Sequence, residues 1–480
     1  MANPEGNNPE TLSHDPERGL ASKQDEDENT LTESEDATKE SSLICGMKKK
    51  TAFVLFVIFF VALAITIPLA VIYGSPPSWK VEKEYKGTNQ FGNLLAFSKD
   101  ASTLAVGRRP HNALASDWVY QVIRLNKNYK KDFFPLPEDD ELYPLPQNTR
   151  YGSFFDPWYP TGSDLDISGD GSTLVVVGSV ALFDYQNLCN NTYISENYTN
   201  PGRCNYGRVT VYHVKDDMTT WDRMGAPLEF LEPLESIGSP LVSLSEDGKT
   251  LVIGVEGIGV TVYKWDGTAW QQNGNTIQGN TGFGRSVSIN DEGTRIAVGG
   301  YESDAVEVYE MNSSDDGWKL LGGKIQVDGH SPTKASLSGS GNRIAVSFRN
   351  WDGDMNNYIF LSGLLQVYEL NKENSWVQVG LNIGAYVTTG ASNGSGLSIS
   401  GDGTTLVNSE YRSDVDGGSR VNVYRYENGD WKERGQELKS VNDYYSALPY
   451  HGGRVATGSF ESLNDFDHVR VYEFRKGLPL

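Results

Sequence analysis

Asp164 and Asp166 stand two residues apart in the run Asp164-Leu165-Asp166-Ile167, directly ahead of the tight Ser168-Gly169-Asp170-Gly171 turn. In an extended strand, residues i and i+2 share a face, so the two carboxylates lie side by side. Such a pair can act as acid and base at a glycosidic bond, or supply oxygens to a cation. It also has a structural use, because a buried carboxylate needs backbone donors, a lysine or a metal. Six other segments end in a similar turn. They place Ala96, Ser243, Ser288, Ser336, Ser398 and Ala447 where Asp166 stands, and two of them place Lys334 and Tyr445 where Asp164 stands. Asp164, Asp166, Lys334 and Tyr445 are therefore candidates for a polar mouth to a central channel.

Beyond that cluster the chemistry thins out. There is no His-Glu-x-x-His, no Gly-x-Ser-x-Gly and no phosphate loop, and the six histidines are scattered. No catalytic set and no cofactor are expected. A calcium loop needs several oxygens close in sequence, whereas each turn here offers mostly one Asp, so no metal site is expected either. The formal net charge is −22; residues 1–50 hold twelve acidic and six basic side chains, contributing −6 and leaving −16 for the rest. Neither part offers the basic footprint that nucleic acid requires.

The turns that flank these positions recur seven times between residues 91 and 480, clearest as Ser-Gly-Asp-Gly-Ser-Thr-Leu at 168–174 and Ser-Gly-Asp-Gly-Thr-Thr-Leu at 400–406. The apolar anchors after them are Leu104, Leu174, Leu251, Ile296, Ile344, Leu406 and Val455, with gaps of 70, 77, 45, 48, 62 and 49. The shortest gaps define a unit of about 45 residues, near the length of a propeller blade. Four strand-like runs follow within a unit, as in Ser286 to Ile289, Arg295 to Val298, Ala305 to Tyr309 and Trp318 to Leu321. The expectation is an all-β, seven-bladed propeller over 79–475. The last unit lacks a fourth strand, and Trp79 to Gly87, ahead of the first unit, reads like Trp270 to Gly279. An N-terminal strand that closes the last blade would remove both edges of the ring.

By Phe91-Gly92, Phe283-Gly284 and the Ser-x-Asp-Gly-x-Thr-Leu turns, the domain resembles the FG-GAP and WD-type propeller repeats, especially the Ser-x-Asp-Gly-x-Thr-Leu-Ala-Val-Gly surface proteins of marine microalgae. The resemblance implies the propeller fold and leaves the ligand open. Propeller glycosidases and sialidases use inner-strand carboxylates, which keeps a hydrolase reading of Asp164 and Asp166 as an alternative. The turns lack the trailing aromatic of a sialidase Asp box.

Ahead of the propeller, residues 1–47 form an acidic tail with almost no aromatic or branched apolar content, expected to be disordered. A basic flank, Lys48 to Lys50, then abuts Thr51 to Tyr73, an uncharged apolar run long enough to span a bilayer. Its position behind a long polar segment points to a retained signal anchor over 48–73 instead of a cleaved leader. Lysines on the N-terminal side put the tail in the cytosol and the propeller, after a linker at 74–78, in the lumen or outside the cell. The expected location is the plasma membrane or an endomembrane, in a single-pass type II orientation, with residues 476–480 as a C-terminal tail.

In an oxidising compartment Cys189 and Cys204 should pair, closing a loop of 16 residues with a stabilisation of about 3 kcal/mol on the chain-entropy model. Cys45 is left cytosolic. Sequons begin at Asn190, Asn197, Asn312 and Asn393.

Alternate connections of an up-and-down blade emerge on opposite faces of the ring. The first-to-second turns are tight and the third-to-fourth links short, as at 266–269 and 427–430. Long links concentrate between second and third strands, at 179–206 and 348–363, and between blades, at 384–394. One face is therefore elaborated, carrying Trp158, Tyr159, Tyr185, Trp351 and Tyr411, while the plain face receives the linker and is turned toward the membrane. Variable loops on a rigid scaffold are where binding resides. The sequence thus points to a membrane glycoprotein whose propeller binds a protein or carbohydrate partner. A hydrolase and a non-catalytic scaffold are the alternatives.

Overall fold

The computed structural model describes residues between Pro77 and Arg475 apart from the segments 88–91, 108–119, 126–132, 136–163, 184–202, 217–219, 234–239, 281, 301–304, 313–316, 329, 351–363, 384–391, 412–418, 440–442 and 460–466. These residues belong to one compact unit, Pro76–Gly477. They form seven antiparallel sheets. Blade one comprises Leu94–Phe97, Thr103–Gly107, Tyr120–Arg124 and Phe133–Pro135; blades two to six follow in chain order. Blade seven pairs Asp443–Ala447, Arg454–Ser459 and Asp467–Arg475 with Ser78–Gly87, the strand that precedes blade one. Tyr85 lies opposite Val469 and Trp79 opposite Phe474, so the expected closure by the N-terminal strand is present.

The seven anchors Leu104, Leu174, Leu251, Ile296, Ile344, Leu406 and Val455 are all fully buried, each between one blade and its neighbour. The turn before each anchor is held by its own side chains. In blade two, Ser168 Oγ donates to Asp170 Oδ1 at 2.6 Å, Asp170 Oδ1 accepts from the Ser172 N–H, and Ser168 Oγ accepts from the Thr173 N–H. Blades one, three and six repeat this arrangement. Although burial works to raise their pKa, these bonds hold the carboxyls of Asp100, Asp170 and Asp402 below the usual range. The glycine that follows has φ of 68° at Gly171 and Gly403, a conformation costly for residues with a Cβ. In blade one that position is Ala101, at φ 59°. The glycine also sits against the threonine of the preceding blade: a Cβ at Gly171 would lie 2.6 Å from Thr103 Oγ1 and one at Gly248 2.7 Å from Thr173 Oγ1. The Asp-Gly and the Thr of the repeat are thus two halves of one contact between blades.

The Trp-x-x-x-Gly runs of the fourth strands work in the same way at the outer rim. The indole N–H of Trp270 donates to the Met224 carbonyl, Trp318 to Asn273, Trp376 to Leu321, Trp431 to Val379 and Trp79 to Arg434. Each acceptor immediately precedes the glycine of the previous blade's run, and the incoming indole packs where that glycine lacks a side chain, as at Gly322, Gly380 and Gly435.

Two segments are more regular than their sequence suggests. In blade two, Thr173–Phe183 and Arg203–Val214 stay paired out to Phe183 opposite Arg203, so the link there covers 184–202 instead of 179–206. In blade five the strands extend to Asn350 and resume at Leu364. Among the described residues there is no helix, and none long and apolar enough to cross a membrane; the apolar run 51–73 and the acidic tail 1–47 lie outside them.

Candidate functional site

The innermost strand of each blade has one paired edge; the other borders the central channel and leaves N–H groups outside the sheet ladder. Side-chain oxygens of the preceding blade take them up. Ser286 Oγ accepts from the Ala335 N–H at 2.9 Å and Ser288 Oγ from the Leu337 N–H at 3.0 Å. Ser336 Oγ accepts from Ile399 at 3.2 Å and Ser243 Oγ from Ile289 at 3.3 Å. Blade two performs the same task with carboxylates. Asp164 Oδ2 accepts from the Val242 N–H and Asp166 Oδ2 from the Leu244 N–H, each at 2.8 Å, with the Ser243 hydroxyl donating to Asp166 at 3.1 Å. The second oxygens accept from the adjacent N–H groups of Leu165 and Ile167.

The ladder registers confirm the alignment drawn from sequence. Asp166 lies opposite Val175, Ser336 opposite Ala345 and Ala447 opposite Ala456; two positions further from the turn, Asp164, Lys334 and Tyr445 lie opposite Val177, Ser347 and Gly458. Asp164, Lys334 and Tyr445 thus occupy one tier of the ring, with Asp166 in the tier nearer the tight turns. Lys334, in blade five, stands across the channel from blade two. Both carboxylates touch channel space yet are enclosed by the ring on all sides. Burial lifts Asp164 to about 7 and Asp166 to about 6, against the opposing pull of backbone donors and the Lys334 charge. The same burial holds the Lys334 ammonium below the usual lysine range, although both aspartates favour its charge.

Below this tier, at the face of the tight turns, lies an arrangement that sequence reasoning missed. The second residue of each turn, the position between Ser168 and Asp170 in blade two, is Lys99, Gly169, Glu246, Asp291, Gly339, Gly401 and Tyr450 in successive blades. Their backbones form a collar: the N–H of Lys99 donates to the Gly169 carbonyl, Gly169 to Glu246, Glu246 to Asp291, Asp291 to Gly339 and Gly339 to Gly401, then Asp402 to Tyr450 and Tyr450 back to Lys99. Glycines sit where a Cβ would overlap a side chain of a neighbouring blade: Gly169 beside Glu246, Gly339 beside Asp291, Gly401 beside Tyr450. Lys99 spans the opening from blade one, its Nζ 2.6 Å from Glu246 and 3.2 Å from Asp291 and 4.1 Å from the centre of the Tyr450 ring. These partners raise the Lys99 pKa over the opposing effect of burial. A cavity of about 180 Å³ lies within the collar, lined by Lys99, Asp166, Ser243, Glu246, Asp291 and Tyr450 among others. The available signal was the mixture of three glycines with four large side chains at one position of the repeat.

The elaborated face is only partly described. Trp158, Tyr159, Tyr185 and Trp351 lie outside the described residues, as do Asn190, Asn197 and Cys189. Tyr411 ends the strand Thr405–Tyr411, opposite Ser392 and Ser419. Cys204 lies in Arg203–Val214, between Leu182 and Pro233 on the flanking strands. Asn393 lies in Ser392–Ile399 opposite Glu410, while Asn312 ends Val306–Asn312, half-buried on the collar side of the ring. Among the described residues no group of three or more His, Cys, Asp or Glu side chains is arranged to hold a metal ion.

The seven-bladed ring and its blocked inner edges define the protein as a β-propeller. Among solved structures it is similar to the β-propeller domain of Cps50 (Swd1) from Myceliophteria thermophila, with a TM-score of 0.51 and 9% identity over 82% of this chain and 99% of that one. At that identity the likeness is one of fold. No protein-family profile and no curated relative matches the chain in sequence.

Proposed function

We propose that the chain is a single-pass type II membrane glycoprotein, at the plasma membrane or an endomembrane, whose lumenal or extracellular propeller recognises a protein or carbohydrate partner. The observation that carries this reading is the contrast between the two ends of the ring. At the collar, tight turns, seven backbone bonds and the Lys99 bridge leave little to vary. The longest links between described strands, including 184–202 and 351–363, all leave from the opposite end. Long links on a rigid ring supply a binding surface, and Trp158, Tyr159 and Trp351 would supply rigid aromatic contact area there. The chain enters the ring at Ser78, on the collar side, at the end opposite the long links.

A hydrolase is the second reading, favoured by the burial that lifts Asp164 and Asp166 toward neutrality. Against it, each carboxylate already spends one oxygen on a backbone donor that holds blade two to blade three and the other on the N–H of the residue that follows it. A screen of the propeller against glycans, wall polymers and surface proteins separates the two. Saturable binding without turnover supports recognition. Turnover of a glycoside that Asp166→Asn abolishes in a still-folded protein would replace it. Loss of mass on enzymatic deglycosylation, mapped to Asn190 and Asn197, checks the proposed topology, as does a Cys189–Cys204 linkage in a non-reduced digest.

A further inference from the structure

The ring contains its own control for the channel acids. Ser286 and Ser288 do for the inner strand of blade five what Asp164 and Asp166 do for that of blade three: the same ladder positions, accepting from the equivalent N–H groups of Ala335 and Leu337. Neutral hydroxyls therefore suffice at this junction, and the two negative charges are surplus to holding the blades. Across the channel, Lys334 is close enough for its charge to act on both carboxylates, yet among the described residues it makes no direct ion pair or side-chain hydrogen bond. Opposed charges on the inner strands of one ring, with neither closing on the other, make the channel at this tier negative on one side and positive on the other.

We propose that this tier of the channel binds a small zwitterion, its ammonium group on Asp164 and Asp166 and its carboxylate on Lys334 and the Ser286 hydroxyl. The hydrogen-bonding capacity is there. An ionised carboxylate offers about four acceptor sites; Asp164 uses two on backbone donors, and Asp166 uses three with the Ser243 hydroxyl included. Ser286 Oγ accepts from the Ala335 N–H, which leaves its own proton to donate. The charge also balances. With Asp164 lifted to about 7 and Asp166 to about 6, the two acids share roughly half a proton near pH ~7 and the Lys334 ammonium offsets most of the remaining charge, so the empty tier lies within about half a charge of neutral and suits a ligand of no net charge. A lone amine would leave Lys334 unmatched, and a lone carboxylate would face two acids.

The test is isothermal titration of the full-length chain at neutral pH with glycine, β-alanine and 5-aminopentanoate, which place the two charges at increasing separation, and with ethylammonium and acetate, which carry one charge each. At least one zwitterion should bind at one per chain, about tenfold or more tighter than either half-molecule. Asp164→Ser with Asp166→Ser, which reproduces the serine junction of blades four and five and so should still unfold cooperatively, should weaken that binding about tenfold or more, and Lys334→Met should do the same. The proposal is overturned if no zwitterion exceeds its halves, or if the double serine variant binds as the parent does.

Discussion

The Trp79 indole N–H donates to the Arg434 carbonyl at 2.6 Å, across 355 positions of sequence, and its ring packs against Gly435. This is the same contact that Trp270, Trp318, Trp376 and Trp431 make with the blades before them. The strand Ser78–Gly87 therefore takes its place in the ring by the rule that places the other fourth strands, and Trp79 is only 2% exposed.

Trp79→Ala removes that buried ring and its hydrogen bond and should destabilise the propeller by about 3–5 kcal/mol. Denaturant unfolding followed by tryptophan fluorescence measures this. Removal of residues 76–87 bares the whole edge of Asp467–Arg475 and should produce aggregation instead of a stable monomer.

Gly435→Ala and Gly429→Ala form a matched pair. Their φ values are 80° and 85°, so both pay a similar backbone strain of about 1–2 kcal/mol. A Cβ at Gly435 would lie 2.9 Å from Trp79 Cδ1, whereas one at Gly429 meets nothing within 4 Å. Thermal unfolding should show Gly435→Ala as the more damaging of the two, by about 1–3 kcal/mol of overpacking.

Several of these relationships were legible before any coordinates. The anchors, the repeated turns and the missing fourth strand fixed the blade count and the closure, because each blade must solve the same packing problem with the same residue types. Aligning the turns also put Asp164, Lys334 and Tyr445 at one register. The collar was not legible. Lys99, Glu246, Asp291 and Tyr450 meet only because the ring closes, and the bonds that join their turns run through the backbone, so Gly169, Gly339 and Gly401 are the only mark they leave on residue type. The extra paired length of blade two was hidden as well, since Arg203, Cys204 and Asn205 lack the alternation that marks a half-buried strand.

The channel acids should make stability depend on pH in an unusual direction. Their folded pKa values, about 7 for Asp164 and about 6 for Asp166, lie above the ordinary value of 3.8. Protons are therefore held more tightly in the folded state. The stability they contribute is full below pH ~4 and is lost as the pH rises through the folded values, on the order of 3–4 kcal/mol each at most. Asp100, Asp170 and Asp402, held below the usual range, work in the opposite sense at lower pH. The comparison is thus between the parent and Asp164→Asn with Asp166→Asn. Between pH ~4 and ~7.5 the parent should lose stability relative to the variant, measured by urea unfolding at each pH.

Lys99→Met should cost little. Its side chain and those of Glu246 and Asp291 are 32%, 39% and 28% exposed, so the bridge contributes about 1 kcal/mol or less. The backbone collar remains. The difference from the parent should shrink further at high salt, where partly exposed charges are screened, and unfolding at two ionic strengths reads this directly.

Recognition by the elaborated face, with the channel acids serving the ring and its interior, is the central proposal for this protein. The most direct test takes the tightest partner from a glycan and surface-protein screen and compares its affinity for the parent, for Trp158→Ala/Tyr159→Ala/Trp351→Ala, and for Asp164→Ser/Asp166→Ser. The triple aromatic variant should lose affinity by about tenfold or more while the channel variant binds as the parent does. Unchanged binding by the aromatic variant, with loss in the channel variant, would contradict it and move the partner's site into the ring.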